Sequence, residues 1–133
     1  MADLDHAQPW LAALKWDADG MIPAIAQTAD GAVVMFAWMN RQSLMETVKG
    51  GYAVYWSRSR QRLWKKGEES GHEQKVLSIR TDCDGDVLLL AIEQIGGIAC
   101  HTGRKSCFFN ELHGEHWVAA EPVLKNPEDI YAK

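Results

Sequence analysis

Residues 81–109 read TDCDGDVLLLAIEQIGGIACHTGRKSCFF. At their centre, VLLLAI (87–92) is a continuous apolar run with Asp-Gly before it and Gly96-Gly97 after it. An apolar run this short between turn signals reads as a buried strand, here Val87 to Glu93. Upstream, Val76 to Thr81 alternates in polarity and reads as a second strand. Farther out, Ile22 to Gln27 and Val33 to Trp38 form two strands around the turn Ala29-Asp30-Gly31. Asn40 is suited to cap a helix over Arg41 to Lys49, which Gly50-Gly51 would stop. Tyr52 to Ser57 and Leu63 to Lys65 add strands, Gly67 to Gly71 a loop, and Phe108 to Leu112 a further strand. Asp5 to Leu14 has a short helical pattern with Pro9 near its start. Many strands against one or two short helices predict a strand-dominated α+β fold. At 133 residues the chain is expected to be one compact domain over 1–133.

Composition narrows the function. A net charge of −4 argues against a general nucleic-acid binder. Yet Arg58, Arg60, Arg62, Lys65 and Lys66 crowd together with no acid among them. A local basic segment in an acidic protein suits a small anionic ligand. VVMFAWM (33–39) and VLLLAI are far too short to span a membrane. MADLDHAQPWLAALKW lacks the pattern of a signal peptide, so a cytoplasmic protein with reduced thiols is expected.

The three cysteines of the chain, Cys83, Cys100 and Cys107, all lie in the quoted stretch. Three is an odd count for a disulfide framework, and the spacing is no C-x-x-C knuckle. Thiolates are soft donors that favour zinc, and three would leave a tetrahedral ion one open position for water. By spacing alone, three buried apolar cysteines serve as well. Asp82, Asp84 and Asp86 are hard donors suited to magnesium. If 82–86 is extended, they share one face and Cys83 takes the other. A solvated acidic turn is the plainer account. An EF-hand loop starting at Asp82 fails, because Val87 falls where glycine is needed. His101 can be a fourth zinc ligand, a general base or a turn residue. A base is favoured, since three thiolates weaken the pull of zinc on water. Trp56 and Trp64 flank the basic run, as core residues or as purine-stacking ones. His113 and His116 have no supporting donor pattern.

The motifs together carry a resemblance. Asp82-Cys83-Asp84-x-Asp86 is followed by Glu93-Gln94-x-Gly96-Gly97-x-Ala99-Cys100-His101-Thr102-Gly103-x-x-Ser106-Cys107-Phe108. Upstream stand Ala37-Trp38-Met39-Asn40, Tyr55-Trp56-Ser57-Arg58-Ser59-Arg60 and Leu63-Trp64-x-Lys66-Gly67-Glu68-x-Ser70-Gly71-His72. From about Trp16 to Phe109 the chain resembles the phosphoribosyl-AMP cyclohydrolases of histidine biosynthesis. The resemblance implies a hydrolase dependent on Zn²⁺ and Mg²⁺ that opens the adenine ring of 1-(5-phosphoribosyl)-AMP at the N1–C6 bond. The product would be the formimino aminoimidazole carboxamide ribonucleotide. It further implies zinc on Cys83, Cys100 and Cys107, magnesium on Asp82, Asp84 and Asp86, and an intertwined homodimer whose chains share each zinc site. Substrate contacts fall to Arg58, Arg60, Lys66, Thr102, Gly103, Arg104 and Ser106, and catalysis to His101. With no room after Lys133 for a pyrophosphohydrolase module, the monofunctional form is expected. A zinc nucleobase deaminase is the rival enzyme, but H-x-E and P-C-x-x-C are absent. A zinc-stabilised binding module without activity is the rival of another class. Neither accounts for the three aspartates.

Overall fold

The computed structural model describes residues 8–131. Strands β1 (Ile22–Thr28), β2 (Val33–Met39), β3 (Val54–Ser57), β4 (Arg62–Lys65), β5 (Gln74–Thr81) and β6 (Leu88–Gln94) form one sheet in the order β4-β3-β2-β1-β6-β5. All neighbours are antiparallel except β1 and β6, which run parallel from Ala24 opposite Leu88 to Thr28 opposite Ile92. Pro23 lies just before this seam begins, so its missing N–H costs the β6 ladder no bond. The sheet curls. A bridge between Tyr52 and Lys75, with Ala53 N–H donating to Gln74 O at 2.9 Å, draws the outer edge of β5 back toward the start of β3.

Alternation explains the core. Ile22, Ala24 and Ala26 of β1 face inward with Leu88, Leu90 and Ile92 of β6. Helix α2 (Arg41–Gly50) follows β2 and lies against β2 and β3. Its start is fixed by a capping box: Asn40 Oδ1 accepts from Ser43 N–H at 2.8 Å, and Ser43 Oγ accepts from Asn40 N–H at 2.9 Å. Its end is fixed by Gly51 at φ 80°, which returns its N–H to Thr47 O. Leu44 pins the helix to the core, and Leu44→Ala would cost about 3 kcal/mol. Buried Tyr55 donates to Gln74 Oε1 at 2.6 Å, and Gln74 donates to Gln94 Oε1 at 2.9 Å, so this polar chain inside the sheet is satisfied.

The expected strand-dominated α+β architecture is present, with differences in detail. Helix α1 is only Pro9–Ala12; the part of the expected helix before residue 8 lies outside the described residues. A third helix, α3 (Pro127–Tyr131), exceeds the one or two expected. The strand expected over Phe108 to Leu112 begins at Asn110, because Phe108 N–H is turned to Ser106 Oγ. It is β7 (Asn110–His113), paired with β8 (His116–Ala119) in a separate hairpin.

The largest correction concerns residues 82–86. They are not extended. Gly85, at φ 71°, donates its N–H to Asp82 O, and Asp86 N–H donates to Asp82 Oδ1, both at 3.1 Å. The reversal from β5 to β6 demands a turn here, so the alternation rule for extended chain does not apply. Cys83 therefore does not face away from the aspartates. No helix among the described residues is long and apolar enough to cross a membrane.

Candidate active site

A cleft of about 430 Å³ opens between the β3–β4 hairpin, the loop after β4 and the segment after β6. Residues from the basic run, Arg60, Arg62 and Lys66, line it, together with Trp64, Ser57, Ser59, the loop 67–70 and His101. Tyr131 of α3 lines it too. The loop needs Gly67, which stands at φ 85°; a Cβ there would lie 2.4 Å from Glu73 N.

The cations are not equivalent. Arg62 is paired with Glu68 at 2.9 Å. The guanidinium of Arg58 lies 4.4 Å over the Trp38 ring, and Arg58 is not among the cleft residues. Among the described residues Arg60 has no ion-pair partner for its side chain, which leaves its charge available to an anion. Lys66 donates to Ala99 O and lies over Trp64. Burial lowers the pKa of its ammonium, while the Cys107 and Cys100 sulfurs pull it back up. Trp64 thus packs against the core and also lines the cleft, whereas Trp56 pairs across strands with Trp38 and Leu63.

The thiol loop, residues 98–107, is built mainly by backbone bonds. Cys100 N–H donates to Arg104 O at 3.1 Å and Gly103 N–H to Cys100 O at 3.0 Å, making a tight turn. Cys107 N–H donates to Val34 O at 2.7 Å, and Ser106 Oγ donates to Val33 O at 2.9 Å, so β2 holds the end of the loop. Cys100 and Cys107 are brought together: desolvation and the neighbouring Cys100 sulfur push the Cys107 thiol up to about 12. Thr102 Oγ1 donates to Cys100 Sγ at 3.0 Å. Gly103 stands at φ 86°, and a Cβ there would lie 1.8 Å from Lys125 O. Arg104 Nε donates to Glu121 O at 2.9 Å, and its guanidinium stacks on Phe109. Thr102, Gly103, Arg104 and Ser106 are thus engaged in holding this loop and are not among the cleft residues, whereas His101 is exposed within the cleft.

The acidic turn is a separate centre. One ligand atom each from Asp82, Cys83 and Asp84 lie within 4.8 Å of one another. Desolvation works to raise the Asp82 carboxyl, but hydrogen bonds from Asp86 and from the Gly85 and Asp84 amides hold it below the usual range. The Asp86 carboxyl is raised, first by its hydrogen bond to Asp82 and then by desolvation and the charges of Asp82 and Asp84. Crowded carboxylates that repel one another form a site that a hard cation can neutralise. Among the described residues this is the sole group of three or more His, Cys, Asp or Glu donors so close together. Within one chain, then, Cys83 does not join Cys100 and Cys107.

An exposed histidine and an unpaired arginine at one cleft, with two neighbouring thiols in the loop that carries the histidine and a carboxylate turn elsewhere on the same sheet, define a small α+β protein equipped to act on an anionic substrate. Comparison with known proteins narrows this class. The profile of the phosphoribosyl-AMP cyclohydrolase family matches residues 35–109. The phosphoribosyl-AMP cyclohydrolase of Dechloromonas aromatica is 77% identical over 98% of this chain and 99% of its own. Those of Nitrosomonas europaea and Methylococcus capsulatus are 61% and 63% identical, over 93% and 92% of this chain and 97% and 96% of theirs. The chain belongs to the phosphoribosyl-AMP cyclohydrolase family.

Sequence reasoning singled out Arg60, Lys66 and His101, and the cleft joins them. It missed Tyr131, although Asn126-Pro127-Glu128-Asp129 carries a readable helix start: a capping side chain, proline in the first turn, and acids at the positive end.

Proposed function

We propose that this chain hydrolyses 1-(5-phosphoribosyl)-AMP, opening the adenine ring at the N1–C6 bond in the histidine-biosynthetic step. The observation that carries it, in a chain of this family, is the cleft that sets His101 beside Arg60 and Lys66. Substitution at N1 leaves C6 electron-poor, so a nucleophile added there can break the bond to N1 while the former amino group stays as a carboxamide. Arg60 holds a substrate phosphate through charge-assisted bonds. His101 takes the proton from the attacking water. Lys66 places a cation between the cleft and the two thiols.

Zinc would be held by Cys100 and Cys107 with Cys83 of a second copy, and magnesium by Asp82, Asp84 and Asp86. The donor sets fit: two adjacent thiols for a soft ion, and a turn of crowded carboxylates for a hard one. Bound there, zinc would supply Lewis acidity for activating water. The separation of Cys83 from the other two thiols within one chain supports a homodimer sharing each zinc site. So does the β7–β8 hairpin, exposed along its length with Leu112, Trp117 and Val118 uncovered. A reducing cytoplasm would keep these thiols competent for metal.

The test is to load the protein with Zn²⁺ and Mg²⁺, add phosphoribosyl-AMP and follow the ultraviolet spectrum. Ring opening should change the purine absorbance only when metals are present. An unchanged spectrum with fully loaded protein would refute the activity.

A further inference from the structure

The family profile ends at residue 109, yet the cleft has a wall contributed from beyond it. Residues 120–131 return as a strap across the thiol loop. Leu124 N–H donates to Gly103 O at 2.8 Å, and Glu121 O accepts from Arg104. Gly103 is bare because Lys125 O passes where a Cβ would be. The strap then enters α3, with Glu128 N–H on Asn126 Oδ1 at 2.9 Å and Ile130 buried as its anchor. One residue past that anchor, Tyr131 is exposed over 43% of its surface and borders the cleft. Its phenol lies near enough to Glu69 and Cys100 that, after desolvation, both push its ionisation up. Tyr131 therefore stands between the Gly67–Ser70 loop and the thiol end of the cleft.

We infer that Tyr131 is a substrate-contacting residue, its ring seating the purine of the nucleotide against the thiol end of the cleft. The role rests on the cyclohydrolase reading and names what that site lacked, an aromatic face not occupied by core packing. Trp64, the other aromatic of the cleft, is held by Tyr55 at 5.7 Å and Lys66 at 5.3 Å between ring or charge centres. An exposed tyrosine ring stacks on any base without needing a donor pattern. The strap has two functions in this account: it braces the Cys100–Gly103 turn from outside, and it delivers the ring.

Tyr131→Ala and Tyr131→Phe decide the matter, with the metal-loaded protein measured two ways. In turnover of phosphoribosyl-AMP, Tyr131→Ala should raise KM about tenfold while kcat stays within about threefold of the wild type, and Tyr131→Phe should behave as the wild type. In calorimetric titration with AMP as probe, Tyr131→Ala should weaken binding by a similar factor and Tyr131→Phe should not. Zinc content should be equal in all three proteins. Unchanged KM and AMP affinity in Tyr131→Ala would overturn the assignment, and so would zinc loss in that variant, since the residue would then be bracing the thiol loop. Should the wild type fail to open the ring, the activity reading falls, and the AMP titration still decides the role of Tyr131.

Discussion

The thiol loop and the acidic turn are both short connections carrying candidate metal donors, but only one is organised within the chain. Cys100 is buried, and the loop around it is bound to β2, to itself and to the C-terminal strap. Asp82, Cys83, Asp84 and Asp86 are all exposed, steadied by a turn and by Lys15 N–H donating to Gly85 O at 2.8 Å. The loop brings two thiols together and lacks a third; the turn has a third thiol and no soft partner. If the three thiols share one ion, as proposed, the set is complete only when one chain meets another, and metal binding and association become one equilibrium.

That comparison breaks most visibly at the cysteines. Cys83→Ala and Cys107→Ala should each lose zinc and essentially all activity. Mixed under exchange, the two inactive variants should regain about a quarter of wild-type activity, because random pairing makes half the dimers mixed and each holds one intact site. No recovery, with zinc still present in either variant alone, would place all three thiols outside a shared site.

His101 sharpens the loop side. His101→Asn should keep zinc and the dimer and lower kcat by roughly 10²–10⁴. Zinc loss, measured by elemental analysis, would make it a ligand; full zinc with near-normal kcat would end the base assignment. On the turn side, Asp84→Asn should retain zinc while the magnesium needed for half-maximal rate rises about tenfold. An unchanged magnesium curve would return the aspartates to a solvated turn.

The smallest effect tests the brace between β1–β2 and the thiol loop. The Asp30 carboxyl is held at about 2 by the Thr28 hydroxyl, the Ala32 N–H and Lys105. Its folded value lies below its unfolded one, so its contribution is present above about pH 4 and fades as pH falls toward 2. Asp30→Asn should therefore show a flatter loss of stability across that window than the wild type. Parallel denaturation midpoints from pH 5 to 2 would remove Asp30 from the account.

Local signals were legible where local physics decides. Asn40 and Gly51 bound a helix by capping, and β1, β2 and β6 followed from runs and alternation. The grouping of Arg60, Lys66 and His101 came from motifs, since nothing in their spacing brings a strand edge to a loop 35 residues beyond Lys66. Residues 82–86 misled because the face rule was applied to a segment whose Gly85 marks reversal. The β7–β8 hairpin had its sign in Gly114, at φ 62° between the paired His113 and His116. The roles of Arg104 and Ser106 in bracing the loop could not be read from sequence, because their partners Glu121 and Val33 are set by the fold.

The parallel seam of β1 and β6 also sets an order of assembly. β1–β2, β3–β4 and β5–β6 are hairpin neighbours that can pair across short connections, whereas β1 meets β6 only after β2 through β5 have been laid down between them. Closing so long a loop is the slow, entropically opposed event in such a topology. Cys107 N–H is held by Val34 O of β2, and Cys100 lies just past the short turn that follows β6, so the thiol loop docks on β2 only when the seam shuts. Until then Cys100, buried in the folded chain, is open to solvent, as pulse labelling during refolding would reveal by its late protection relative to the β5–β6 amides. A nascent chain thus passes through a window in which Cys100 is open to oxidation, and the length of that window is written into the strand order.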